Sequence, residues 1–121
     1  MLANCQNTNS KMAKVTSVRI RSVDFSLMTV ISVNCDNFEE YFKNYKESHL
    51  TDSKKIENLL KQFNTLEPTD STYCKNIDTR AKIELITGTD TTFICLGNLS
   101  LSLDNIQYKT PDSLIYLIES Y

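Results

Sequence analysis

Glycine and proline are scarce, with two of each in 121 residues. Few breaks are therefore forced on the chain, which disfavours a loop-rich, turn-dense scaffold and predicts that regular elements fill most of it. With only Gly88 and Gly97 there is no G-x-G-x-x-G and no P-loop, so the common nucleotide-phosphate cradles are excluded. No apolar run approaches the roughly 18–20 residues that a bilayer span requires, and no transmembrane helix is expected. Neither charge sign dominates. Thirteen basic and fifteen acidic residues are interspersed along the chain and leave a net charge of -2, so no electrostatic footprint for nucleic acid is visible. The four cysteines, Cys5, Cys35, Cys74 and Cys95, form no C-x-x-C and have no neighbouring histidine, so zinc and thioredoxin-like chemistry lack their spacing. Asp90 and Asp104 fall in turns that explain them, and neither belongs to a calcium loop. No metal and no cofactor is expected.

What is present reads as an ordinary globular composition, 40% hydrophobic and 23% charged. Residues 1–13 are polar and read as a flexible segment or tether; residues 14–121 read as a single domain. Val18-Arg19-Ile20-Arg21 alternates like a strand with one wet face, within Lys14 to Ser22. Phe25 to Cys35 carries apolar residues on both parities and is expected to be a central strand, joined to the first at Val23-Asp24. Asp36-Asn37-Phe38-Glu39 has the pattern of a capping box and predicts a helix to about Tyr45 with an aromatic stripe of Phe38, Tyr41, Phe42 and Tyr45. A polar connection through His49 follows, then a helix over Ser53 to Asn64 with Ile56, Leu59, Leu60 and Phe63 on one side.

Beyond the turn at Glu67 to Ser71 the hydrophobic period changes to two. Asp78 to Thr87 and Thr91 to Leu96 predict a hairpin around Gly88-Thr89-Asp90. Leu99, Leu101 and Leu103 alternate with serines, and Asp104-Asn105 predicts a tight turn into Ile106-Gln107-Tyr108. Thr110-Pro111-Asp112 predicts the start of a closing helix that carries Leu114, Ile115, Leu117 and Ile118. The expected fold is α+β, a mostly antiparallel sheet of five to six strands in the order ββααββββα, with two central helices and a short C-terminal helix on one face.

Leu2-Ala3-Asn4-Cys5, followed by a polar run, resembles the tail of a bacterial lipoprotein signal, in which the cysteine is lipidated. Asn4 departs from the Gly or Ala usual before that cysteine, and no apolar segment precedes Leu2. The resemblance implies lipidation at Cys5 and a tether to the cell envelope. The other reading is a cytoplasmic N-terminus with an incidental cysteine. With Cys5 lipidated, three cysteines permit at most one internal disulfide. Cys35 and Cys95 lie near the ends of expected strands, where reduced, buried cysteines are favoured over a pair.

No catalytic group stands out. His49 reads as a solvated loop residue, and a cysteine nucleophile would need it in contact with Cys35, Cys74 or Cys95, of which Cys74 is best placed. Asp78 and Arg80, two apart in a strand, are expected to form a structural ion pair. Surface recognition remains, through Tyr41, Tyr45, Tyr73 and Tyr108, with Tyr116 and Tyr121 as further candidates. The expected function is a non-catalytic interaction or binding domain for a protein or small ligand, lipid-tethered through Cys5. The alternative is a cytoplasmic immunity- or antitoxin-type protein that neutralises a partner.

Overall fold

The computed structural model describes residues 14–69 and 77–121. The described elements run β1 (Ser17–Ser22), α1 (Phe38–Tyr41), β2 (Lys46–Leu50), α2 (Ser53–Lys61), β3 (Ala81–Thr87), β4 (Asp90–Leu96), β5 (Ser100–Leu103), β6 (Ile106–Lys109) and α3 (Asp112–Ser120). All strand pairs are antiparallel, in one six-stranded sheet ordered β2-β1-β3-β4-β5-β6. The α+β class and the antiparallel sheet agree with the sequence. The predicted order does not, because a strand separates α1 from α2.

Period-two alternation explains the inner face. Val18 and Ile20 of β1, Ala81, Ile83 and Leu85 of β3, Ile94 and Leu96 of β4, and Leu101 and Leu103 of β5 all point inward and are buried. Ile56 and Leu59 from α2, Phe63 from the turn just past it, and Leu114 and Ile118 from α3 close the same core. Each such side chain contributes about 1.5–3 kcal/mol by leaving water. Asp52 caps α2, its Oδ2 accepting from Lys55 N–H at 3.0 Å. Past Lys61 the helix tightens: Gln62, Phe63 and Asn64 donate three residues back, which still carries Phe63 into the core. At α3 Pro111 occupies the cap position, and the Thr110 hydroxyl donates to Gly97 O at 3.0 Å and not to the helix start.

The two glycines sit where a side chain would not. Gly88 has φ +60° in the two-residue turn between Thr87 and Asp90, so β4 begins at Asp90 rather than Thr91. A Cβ on Gly97 would come within 2.7 Å of Asp78 O. Asp104 and Asn105 both take positive φ in the turn from β5 to β6, as their dipeptide predicts.

Three expectations fail between residues 23 and 50. The central strand over Phe25 to Cys35 does not form. Ser26 donates both its N–H and its hydroxyl to Asp24 Oδ1, at 2.9 and 2.7 Å, and Leu27 N–H returns to Asp24 O, so the chain turns away from the sheet. The place beside β1 goes instead to β2, the segment read as a polar connection. There Glu47 lies opposite Arg21, and its carboxylate stands 3.6 Å from both Arg19 and Arg21. The Asp36 to Tyr45 helix shrinks to one turn because Asn34 and Asn37 exchange side-chain to backbone hydrogen bonds at 3.0 Å, displacing the expected capping box. α1 also lies on the outer face, opposite α2 and α3, with Glu39 bonded to Arg21 and Lys82 from that side.

Candidate functional site

The segment from Val23 to Asn37 forms a loop that crosses one end of the sheet and descends onto its outer face. Its base is fixed at many points. Phe25 and Val33 are buried. Asn98 Nδ2 donates to Phe25 O at 2.7 Å, Val33 N–H donates to Asp78 Oδ1 at 3.0 Å, and Thr79 N–H donates to Val33 O at 2.6 Å. Arg80, 3% exposed, sits beneath the loop. Its guanidinium donates to Leu27 O at 3.1 Å, Thr29 Oγ1 at 3.4 Å, Thr79 O at 3.0 Å and both carboxylate oxygens of Asp78, and it lies 5.6 Å from the Phe42 ring centre. The Asp78–Arg80 pair expected from sequence is therefore present, and it has become the anchor of a loop. Burial of a charged group on this scale is tolerated because every arm of the guanidinium is bonded.

Cys35 and Cys95 form a disulfide, with Cα atoms 5.8 Å apart. This corrects the expectation of reduced, buried cysteines. Because β3 and β4 pair Lys82 with Cys95, Cys95 faces outward with Lys82, where the loop passes over it, and not into the core.

The rigid base supports an apolar tip. Leu27, Met28, Val30 and Ile31 are 44%, 93%, 98% and 55% exposed, four large apolar side chains within five residues. Leu99, 87% exposed, lies on the β4–β5 turn, next in sequence to the Asn98 that holds Phe25. Leu27, Tyr41 and Phe42 also line a groove of about 710 Å³ together with Val23, Lys43 and Lys46. Four large exposed apolar side chains so close in sequence are more than the scattered apolar residues of an ordinary surface.

Of the predicted interaction residues, Tyr41 is exposed and belongs to this surface. Tyr45 does not: it is half-buried against Phe38 and lies 5.8 Å from Arg21. Tyr108 packs against the core, and so does Tyr121, whose hydroxyl burial pushes above its ordinary pKa. Tyr116 is exposed on α3. Tyr73, Cys5 and Cys74 lie outside the described residues. Leu101 and Leu103, which alternate with serines, are core. The apolar loop differs from the buried strand that its alternation predicts; Asp24 followed by Ser26 is the turn signal against that strand.

The outer face is otherwise a field of paired charge. Arg21 bonds Glu39 at 2.6 Å and stands 3.7 Å from Glu84, while Lys82 bonds Glu39 at 3.2 Å. Arg21 Nε reaches only Glu47, at 3.6 Å, too long for a hydrogen bond. Burial alone would raise the Glu39 pKa, but hydrogen bonds from Arg21 and Lys82 and the Lys82 charge hold it below the ordinary value. Arg21 is raised, burial being outweighed by Glu39, Glu47 and Glu84.

His49 is exposed on β2 in the row His49, Arg19, Glu84, Phe93, three strands from β4. That spacing puts Phe93 about 14 Å from it, and Cys95, two residues further along β4, lies farther still. The disulfide also leaves Cys35 and Cys95 without a thiol to ionise. Among the described residues no group of three or more His, Cys, Asp or Glu is arranged to hold a metal ion, and no helix is long and apolar enough to cross a membrane. No protein-family model matches the chain, and neither a curated protein nor a solved structure matches it.

Proposed function

We propose that this protein is a non-catalytic binding module that recognises a protein partner through the apolar loop Leu27 to Ile31, with Tyr41 at its margin. One observation carries the reading: the most exposed apolar side chains of the loop stand on the most heavily bonded base, Arg80 beneath and the disulfide at one stem. A loop held in place in advance loses little entropy on docking, so its apolar area is available for affinity. The Cys35–Cys95 bond also supports an oxidising compartment, and hence the envelope-tethered reading of Leu2-Ala3-Asn4-Cys5 over the cytoplasmic neutralising protein, whose thiols cellular reductants would keep apart.

Site-specific photo-crosslinking in the native host tests the proposal. A photoreactive residue at Met28 or Val30 is expected to capture a discrete protein species that Glu57, exposed on α2, does not capture. Equal labelling at the three positions would refute the reading.

A further inference from the structure

The two edges of the sheet are treated differently. The β6 edge is covered: Lys109 N–H donates to Glu67 O at 2.8 Å, Thr69 N–H donates to Gln107 O at 3.1 Å, and Pro68 bridges to Tyr108. At the β2 edge no described residue plays that part. Uncovered edges present rows of unpaired N–H and C=O groups and are templates for strand pairing.

The hydrogen-bond phase identifies which groups are offered. Val23 N–H donates to Arg80 O, one step beyond the Ser22–Ala81 pair, so odd-numbered residues of β1 turn their backbone groups toward β3. Even-numbered residues therefore turn toward β2, where Val18, Ile20 and Ser22 face Leu50, Ser48 and Lys46. The backbone groups of Glu47 and His49 are left pointing outward. α3 does not obstruct them, since its C-terminal end sits on the inner face of β2, with Ser48 Oγ donating to Tyr121 O and Lys46 Nζ to Glu119 O, both at 3.4 Å.

We propose that β2 pairs antiparallel with β2 of a second copy of this chain, about a two-fold axis through Ser48, giving a continuous twelve-stranded sheet. This inference is independent of the apolar loop. Self-pairing fits because the register is reciprocal. Glu47 N–H and C=O meet His49 C=O and N–H of the other copy, and the symmetric pair repeats this, so four hydrogen bonds satisfy all the outward groups of both residues. Side chains agree with the backbone. In that register each Glu47 carboxylate, an acceptor held between Arg19 and Arg21, lies on the outer face opposite an imidazole N–H donor of His49, and no acid faces an acid. The two-fold axis sends the two apolar loops to opposite ends of the joined sheet.

Sedimentation velocity of the full chain, from about ten micromolar to one millimolar, tests the pairing against a range typical of small interfaces. The expected result is a concentration-dependent doubling of the 13.9 kDa protomer mass. His49→Pro removes an outward donor without touching the β1–β2 bonds, and is expected to abolish the dimer. His49→Glu sets acid against Glu47 of the other copy while gaining Arg19 as a neighbour within its own, and is expected to weaken the dimer at least tenfold with unchanged circular dichroism. A monomer throughout the range would overturn the proposal, as would a dimer that tolerates His49→Glu or that is lost only on replacing Met28 and Val30.

Discussion

The same strands build two unlike surfaces. On the inner face the side chains of β1, β3, β4 and β5 are aliphatic and buried, and α2 and α3 close over them. On the outer face the intervening residues include Arg19, Arg21, Lys82, Glu84, Phe93 and Cys95, covered partly by α1 and the Val23 to Asn37 loop. The inner layer is held by removal of apolar area from water, which is non-directional and tolerates rearrangement. The outer layer buries only a few apolar side chains, Val33 and Phe38 among them, and adds directed contacts: a covalent bridge, a buried guanidinium and ion pairs. The contrast shows how a loop with exposed apolar side chains can be kept in one place with little core of its own.

The largest effect that could break this contrast is loss of the bridge. Cys35→Ser with Cys95→Ser opens a crosslink spanning 60 residues of sequence, and by loop-closure entropy the loss is about 4 kcal/mol of unfolding free energy, measured by urea titration. Amide exchange should accelerate first over residues 23–37 and last in β3 and β4. Uniform acceleration would mean that the two layers are one cooperative unit. Next in size is a paired test of the faces. Leu101→Ala, in the inner core, is expected to cost about 3 kcal/mol, whereas Phe93→Ala, on the outer face and half exposed, should cost less than about 1 kcal/mol. Similar costs at the two sites would remove the distinction between the faces.

The inner face was legible because each of its elements has one unambiguous rhythm. Ile56, Leu59 and Phe63 mark α2, and Ile83 and Leu85 or Leu101 and Leu103 mark strands, with Gly88 and Asp104-Asn105 supplying the turns. The outer face was not legible. Its cohesion comes from partners far apart in sequence, such as Arg21 with Glu39 and Lys82, or Arg80 with Leu27 and Thr29, and periodicity carries no record of them. β2 has a single buried apolar residue, Leu50, so its strand character lies in the cross-strand charges it meets. Phe25 to Cys35 has the inverse problem, having enough apolar residues for a strand but spending several of them on exposure. The candidate site was thus visible in part, through Tyr41, while the loop that dominates it carried the composition of a core element.

The smallest expected effect concerns the charge layer alone. Glu39 links Arg21 and Lys82, and these bonds depress its pKa in the folded chain despite the opposing effect of burial. A depressed carboxylate adds stability that is fully present above its unfolded pKa and is lost as pH falls through the lower folded value. Asp24, lowered by hydrogen bonds from the Ser26 backbone N–H and hydroxyl, acts in the same direction. Stability measured from pH 7 down to pH 2 should therefore fall on the acid side. Glu39→Gln keeps the shape of the side chain but cannot titrate, so it should cost no more than about 1 kcal/mol at neutral pH and make the acid decline shallower. High salt should shrink this difference by screening the charges, while leaving the cost of Leu101→Ala nearly unchanged. If Glu39→Gln instead reproduced the full acid slope of the parent, Glu39 would not be the group through which acid loosens the outer layer, and the ion pairs there would be spectators to a fold held by the bridge and Arg80.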